Sequence, residues 1–407
     1  VAAKKGKGKK TKSPNKNKTK LFPTPSQLKG SAKAVREGSA SIEICDGVFF
    51  NPEMEFCRDV SSLAVGAIGE KIDVCDAFCA SGVRGIRYEK ENDNVSSVTF
   101  VDLSQKAMKC ARKNAKRNKM KKANFVRDDI NRFLYANPAF DFIELDPFGS
   151  PAPYIYDAVR CFSRLKKTGY LSLTATDMAV LCGAHPSACL KNYGAKPLDN
   201  EFCHENAMRI LLGKLALVSA EFGYGISPLF CISRQHFLKL VVKLERSAEK
   251  AVQCVRTLGY ASWCSKCCYR EQGKFPKHEK CECGNAFENA GPMWLGEIGN
   301  AEFVDRMALL NSSRDYRNKH ELLALLELLK SDILLPAFYY NLHGIAKRMK
   351  ASAPRQLAVL AALRAKGFKA ELTHFAFNSI KTDAPLIEIR SAITKAGAKN
   401  KTNERVH

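Results

Sequence analysis

Between residues 71 and about 245 the sequence alternates short apolar runs with amphipathic helical patterns. "KIDVCDAF" (71–78) reads as a buried strand, and "VRGIRYEKE" opens a helix. "SSVTFVDL" (96–103) is a second strand, followed by the basic helix "SQKAMKCARKNAKRNK". "ANFVRDD", "FDFIELD" and "GYLSLTATD" (169–177) add three more, and further strands are expected in "GISPLFCIS" and "FLKLVVKLE". This alternation argues for a parallel α/β sheet with helices on both faces. Such sheets bind ligands outside the carboxyl ends of their strands.

A chain of 407 residues is long enough for two domains, each with its own core. After the alternating stretch, residues 246–300 are rich in Cys, Gly and Lys, and residues 301–390 read as helices followed by two β-like runs. "YYNLHGIAKRMK", "APRQLAVLAALRAKG", "FKAELTHFAF" and "SIKTDAPLIEIR" have the layout of a winged helix-turn-helix, which is common in nucleic-acid binders. Residues 391–407 are expected to form a flexible tail.

The net charge of +24 points to a polyanionic partner. Residues 1–36 hold 12 Lys or Arg and no Asp or Glu, so half the excess sits there. That segment buries too little to fold alone and is expected to be a disordered arm. It would serve as a nuclear address, an RNA-binding tail or merely a solvated end, with mitochondrial import the weaker alternative. No stretch of 18 apolar residues offers a membrane span, and the start lacks a signal-peptide core. Sixteen cysteines invite a disulfide framework, but eleven are scattered without regular spacing, which favours reduced thiols.

Three acidic strand ends suggest a pocket. The first turn, "DAFCASGVRG" (76–85), has Gly82 and Gly85 but not the glycine pattern that admits a pyrophosphate. S-adenosylmethionine, smaller and with an amino-acid tail, suits it better. Asp102 ends the second strand and can accept both ribose hydroxyl hydrogen bonds of an adenosine, although an Asp or Ser104 there equally suits a helix N-cap. "RDDIN" (127–131) ends the third strand, where an Asp can meet the adenine amino group or cap the next helix.

The fourth strand ends in Asp146-Pro147-Phe148-Gly149. This looks like the (Asp/Asn)-Pro-Pro-aromatic motif of methyltransferases that modify exocyclic amino groups of nucleobases. An aryl amine is a poor nucleophile because its lone pair is delocalised into the ring. A carboxylate and a proline carbonyl that accept its N–H bonds free that lone pair, and an aromatic ring can stack on the extruded base. A plain strand-terminating Asp-Pro turn is the bland alternative.

"EGSASIEI", "VFFNPEMEFCRD", "DAFCASGVRGIRYEKE", "ELDPFGSPAPYIYDAVR", "TATDMAVLCGAHPSACLKNYGAKPL", "CHENAMRILLG", "GPMWLGEI" and "THFAFNSIKTDAP" occur in this order. Together, over about residues 37–390, they resemble the tRNA (guanine-26-N2)-dimethyltransferase family. The resemblance implies a Rossmann-like class I methyltransferase domain over 37–245, two methyl transfers to one guanine amino group, and a smaller C-terminal α+β domain with a zinc-binding insertion. By motif position it places Arg58, Arg84, Asp102, Asp129 and Ile130 at the cofactor and makes Asp146 the catalytic carboxylate. Arg58 and Arg84 would hold the methionine carboxylate; a surface ion pair with Asp59 or Glu55 is the alternative for Arg58. Asp177, His185, His204 and Glu205 are left without a catalytic role, the histidines being better read as core residues held by hydrogen bonds.

Cys264, Cys267, Cys281 and Cys283 form a Cys-x-x-Cys … Cys-x-Cys array that can enclose one tetrahedral zinc, and the resemblance supports that. Cys268 and His278 are substitute ligands. A closed four-sulfur site would be structural. Two other readings stand beside the tRNA methyltransferase: a non-catalytic RNA-binding or chaperone protein on a retired fold, and a methyltransferase of another substrate.

Overall fold

The computed structural model describes residues 34–137, 140–163 and 166–403, with side chains to 397. Most of the basic arm lies outside the described residues. Its expected end is corrected, because Ala34–Glu37 is not arm but strand β1, paired antiparallel with β2 (Ala40–Glu43). The pairing is anchored where Glu37 turns inward and accepts two hydrogen bonds from Arg58.

After α1 (Glu55–Ile68) the alternation runs β3 (Ile72–Ala77), α2 (Val83–Glu91), β4 (Val95–Val101), α3 (Gln105–Arg117), β5 (Ala123–Val126), α4 (Ile130–Ala136), β6 (Phe142–Leu145), α5 (Ala152–Ser163) and β7 (Thr168–Ala175). Short helices α6 (Met178–Leu181) and α7 (Pro186–Tyr193) and the long α8 (Cys203–Glu221) lead to β8 (Tyr224–Arg234) and β9 (Phe237–Arg246). The strands form one seven-stranded sheet in the order β5-β4-β3-β6-β7-β9-β8. The first five are parallel, while β9 runs antiparallel to both β7 and β8. Only Gln235 and His236 separate β8 from β9, too few residues for a crossover, so a hairpin is the available connection.

The order reverses at β3, and a ligand crevice opens between the carboxyl ends on either side of such a point. Both faces of the sheet are covered, which is why β3 and β6 are buried almost throughout. Asp73 and Asp76 of β3 and Glu144 of β6 are the exceptions to their apolar character, and Glu144 is the most deeply buried of them. It lies fully buried in β6, paired with Lys239 of β9 and accepting a 2.7 Å hydrogen bond from Tyr88.

Beyond α9 (Ala248–Arg256), strands β10 (Leu258–Trp263), β11 (Arg270–Gly273) and β12 (Glu288–Trp294) make a small antiparallel sheet. Next come α10 (Ala301–Ser313) and α11 (Lys319–Ile333). Phe303, Met307, Leu322 and Leu326 share an apolar core with Val60 and Leu63 of α1 and Val74 of β3. The segment 301–333 therefore packs onto the main sheet, which divides the expected 301–390 domain. The remainder forms a separate apolar cluster built on β13 (Tyr340–Asn341), α12 (Leu342–Arg348), α13 (Gln356–Arg364), β14 (Ala370–Leu372), β15 (Ser379–Thr382) and α14 (Leu386–Asn403). Helices α12 and α13 with the three-stranded β13-β15-β14 sheet give this part its winged-helix-like layout, to which α14 is added.

Two expectations are overturned. The 391–407 tail is helical as far as Asn403, because Ile389, Ala392, Ile393 and Ala396 repeat at helical spacing and bury one stripe of α14. The all-reduced reading fails at Cys45 and Cys110, which are joined by a disulfide across 65 residues of sequence. No local spacing signals that pair, because only the fold brings the loop after β2 onto α3. No helix among the described residues is long and apolar enough to cross a membrane.

If α14 is a packed element, Ile393→Ala removes a fully buried side chain. It should cost about 2–5 kcal/mol in urea unfolding of the full chain, whereas a free tail would show no change.

Candidate active site and cysteine cluster

The turn after β3 is coiled tightly, with Phe78, Ala80 and Gly82 all at positive φ. Such conformations cost energy for Phe and Ala and persist only when neighbours hold them. The restraint comes from β4, where Cys79 N–H donates to the Val101 carbonyl at 3.1 Å and Ala80 N–H to Asp102 Oδ2 at 3.0 Å. The other Asp102 oxygen accepts from Ser104 N–H at 2.8 Å, and Ser104 itself caps α3. Asp102 thus braces the turn while remaining half-buried at its edge. A Cβ at Gly85 would lie 2.5 Å from the Phe100 ring, so this glycine lets α2 settle against β4.

Asp129 caps α4, accepting from Arg132 N–H at 3.1 Å, and stays exposed at the tip of β5. Ile130 beside it is buried with Val101 and Phe133. Asp146 ends β6, next to β3 in the sheet. The carboxyl ends of β4, β5 and β6 therefore carry Asp102, Asp129 and Asp146 along one rim.

Asp146 is paired with Arg84, and the same guanidinium donates to Ser61 Oγ at 2.9 Å and lies 4.0 Å from Glu144. Lys239 bonds Glu144 and donates to Thr174 Oγ1 at 3.1 Å. These groups make a chain of alternating charge through the sheet. Its outer end is Asp146, whose side chain is 25% exposed against 5% for Arg84. Burial pushes the Asp146 carboxyl up, but Arg84, with Lys239 and Arg58 behind it, outweighs that and holds it below the usual carboxylate range. Asp76, with less compensation, goes the other way. Burial raises its carboxyl to about 7 despite Arg84 and the Gly85 N–H bond.

Two exposed aromatic rings meet at the turn that follows Asp146. Phe148 is 78% exposed and Phe49 54%, and they meet edge to face at 4.6 Å. Exposed rings side by side at the mouth of a polar site offer a stacking surface. The turn that presents Phe148 is pinned at Gly149, which exchanges hydrogen bonds with Thr176 at 2.8 and 2.9 Å. Ser150 bonds the Tyr193 hydroxyl at 2.7 Å, and that hydroxyl donates to Asp177 at 2.9 Å. Asp177 therefore supports the Asp146–Ser150 turn. His185 is exposed at the start of α7, and His204 bonds the Phe375 carbonyl at 3.1 Å.

Arg58 is engaged neither with Asp59 nor with Glu55. Its guanidinium grips Glu37 with two 2.6 Å bonds and donates to the Asn51 carbonyl at 3.1 Å. Arg87 joins the same buried network, reaching Glu37 at 3.0 Å, Asp59 at 2.6 Å and Glu91 at 2.9 Å. Arg84 and Asp146 are brought together; Arg58 is committed to the hairpin. Phe49, Ser61, Glu144 and Lys239 went unassigned in the sequence. Only the charged pair carried a signal, as polar residues interrupting apolar strands.

Cys264, Cys267, Cys281 and Cys283 converge with all four sulfurs within 4.8 Å of one another. Cys264 and Cys283 are 3.4 Å apart and Cys267 and Cys281 3.5 Å. A tetrahedral zinc with bonds of about 2.3 Å requires sulfurs about 3.8 Å apart, so the donor set fits that ion. Two tight turns create the cluster, closed by the 2.8 Å Cys268 N–H to Cys264 carbonyl bond and the 2.7 Å Gly284 N–H to Cys281 carbonyl bond. Cys268 instead plugs the apolar cluster of the C-terminal module, and His278 is exposed and outside the group.

A family model described as N2,N2-dimethylguanosine tRNA methyltransferase matches residues 30–394. A Methanobrevibacter smithii protein named tRNA (guanine(26)-N(2))-dimethyltransferase is 36% identical, covering 90% of this chain and 98% of its own. A Thermococcus kodakarensis protein of the same name is 35% identical over 86% of this chain and 96% of its own. Among solved structures, a complex of Trm1 from Pyrococcus horikoshii with S-adenosyl-L-methionine superposes with a TM-score of 0.81 at 33% identity, covering 88% of this chain and 99% of that one.

Because the Asp76 pKa is raised on folding, the folded chain binds a proton that the unfolded chain has released between its ordinary 3.8 and about 7. Its contribution is fullest below the lower value and is lost as pH rises through the upper one. Urea midpoints across that range should therefore fall for wild type relative to Asp76→Asn, then run parallel above it. Parallel curves throughout would mean that Asp76 does not titrate there.

Proposed function

The chain belongs to the N2,N2-dimethylguanosine tRNA methyltransferase family, and on that premise we propose that it methylates the exocyclic N2 of guanosine 26 in tRNA twice, giving N2,N2-dimethylguanosine. The observation that carries this reading is a half-open, ionised Asp146, followed by a turn at which two exposed rings meet, at the point where the strand order reverses.

S-adenosylmethionine, when bound, supplies a methyl group activated on a sulfonium. The residues that would hold it are Arg84 and Arg58 for the methionine carboxylate, Asp102 for the ribose, and Asp129 with Ile130 for the adenine. Asp102 sits on the rim with its carboxylate already oriented by Ala80 and Ser104, which suits that role. Arg58 would have to share its guanidinium with Glu37.

Asp146 accepts an N–H bond from the guanine amine and so concentrates electron density on N2. Its lowered pKa keeps it an acceptor at neutral pH and makes it a weak base. Its work is therefore orientation and electrostatic stabilisation as N2 becomes cationic, and the proton that N2 sheds after each transfer would leave by way of Asp146 to water at its exposed edge. Phe148 and Phe49 would hold the extruded base by stacking, against an unstacking cost of a few kcal/mol.

Zinc at the four-cysteine cluster would be structural, since four thiolates leave no open position. The winged-helix-like module would carry the tRNA body, and the basic segment 4–20 would add RNA contacts or a nuclear address.

The test is methylation of an unmodified tRNA transcript followed by mass analysis of its nucleosides. Wild type should yield dimethylguanosine, Asp146→Ala should lose roughly 10²–10³ in rate, and Phe148→Ala should weaken kcat/KM about 5- to 150-fold. Tight tRNA binding without methylation would favour the non-catalytic reading. Separately, Cys281→Ser should lose one zinc per chain and melt earlier, yet bind S-adenosylmethionine within about twofold of wild type. Unchanged metal content would remove zinc from this cluster.

A further inference from the structure

Among the described residues a second group of metal-binding side chains lies apart from the four cysteines. Cys182, Cys203 and His204 place one ligand atom each within 4.8 Å of the others. They come from two segments of the chain. Cys182 closes α6, its N–H bonded to the Met178 carbonyl at 2.8 Å, and Cys203 and His204 open α8. All three are half-buried, so an ion has a path in.

His204 is held in the manner of a metal ligand. Its Nδ1 lies 3.1 Å from the Phe375 carbonyl, which fixes the proton on that nitrogen and leaves Nε2 with a free lone pair. The carbonyl is itself fixed, since Phe375 is buried and Thr373 Oγ1 donates to Asp332 at 2.9 Å. Two thiolates and an imidazole favour zinc or another borderline transition ion over magnesium or calcium. Three protein ligands leave the fourth position to water.

We propose that Cys182, Cys203 and His204 form a second zinc site, which clamps the loop after β7 to the start of α8 and, through Phe375, to the C-terminal module. That loop also carries Asp177, which holds the Asp146–Ser150 turn through Tyr193. Occupancy would thus connect the base pocket mechanically to the part of the molecule proposed to hold tRNA. The site stands whether or not the methylation reading does, because it is read by metal content.

The experiment is native mass spectrometry of the full chain, purified under reducing conditions and titrated with zinc alone. Wild type should bind two ions, Cys281→Ser and Cys182→Ser one each, and the double variant none. His204→Gln, which keeps both thiols, guards against misfolding of Cys182→Ser and should also lose one ion. In the Cys281→Ser background, cobalt should give a weak two-sulfur charge-transfer band that the added His204→Gln substitution abolishes. Amide exchange over 176–185 and 373–378 should slow on zinc addition in wild type and Cys281→Ser, and not in His204→Gln. A single zinc in wild type, with unchanged counts in Cys182→Ser and His204→Gln, would overturn the site. So would a Cys182–Cys203 disulfide that persists under reduction and excludes metal. Two ions without the exchange effect would overturn the clamp.

Discussion

The pairing of Arg84 with Asp146 fixes the chemistry of the pocket and the position of the helix behind it. Arg84 stands in the first turn of α2, and its guanidinium is buried. An arginine in that position is tolerable only if partners compensate its desolvation, and Asp146, Glu144 and Ser61 do so together. Glu144 in turn requires Lys239 from the antiparallel strand β9. Asp146 is therefore oriented from behind by groups carried on α1, α2, β6 and β9, before any ligand arrives. Loss of one partner would leave a buried charge, at roughly 3–5 kcal/mol, instead of merely removing an attraction.

A second buried network does the same for the C-terminal module. Glu205, at the start of α8, receives Arg209, Lys381 and the N–H groups of Phe338 and Tyr339. Lys381 continues to Asp332, which also holds His374 at 2.9 Å. Charges from α8, α11 and β15 thus meet in one place. Cys268 enters the apolar cluster of the same module from the cysteine loops, and Arg348 reaches back to the Ser265 carbonyl at 2.9 Å. Buried polar partners with few alternatives favour one docking geometry over a greasy, sliding contact. A site that must meet a single base of a large RNA needs that rigidity.

Much of this was readable from residue order. Period and punctuation disclosed the five parallel strands, because each is an apolar run too short for a helix and bounded by turn residues. The acidic strand ends were visible as well, because three carboxylates closing neighbouring apolar runs are harder to explain as separate caps, although Asp129 does cap α4 and Asp102 does brace its turn. What sequence could not disclose was pairing across distance. Glu37 with Arg58 and Cys45 with Cys110 depend on where the hairpin lands. The placement of α10 and α11 was hidden for a similar reason. Their apolar stripes suit either a separate domain or the back of the sheet, and only the matching surface of α1 decides. Helix α14 was missed because its tail composition is polar, and Ala392, Ile393 and Ala396 make a narrow stripe within it.

The electrostatics of the pocket also constrain how a second methyl can follow the first. Two carboxylates near Arg84 are pushed in opposite directions, Asp146 down and Asp76 up, although burial acts to raise both. Arg84 reaches one of them directly and the other only through space. In the proposed reaction Asp146 would therefore stay ionised through both transfers, accepting each time whichever N–H remains on N2. After the first transfer one N–H is still present, so the same carboxylate can orient the amine again without any change of protonation. After the second none is left, and the carboxylate faces a methylated nitrogen it can no longer bond. Asp146 keeps its Arg84 partner at that point but gains no bond from the product, so the attraction proposed to hold the unmethylated and singly methylated base would be absent for the finished one.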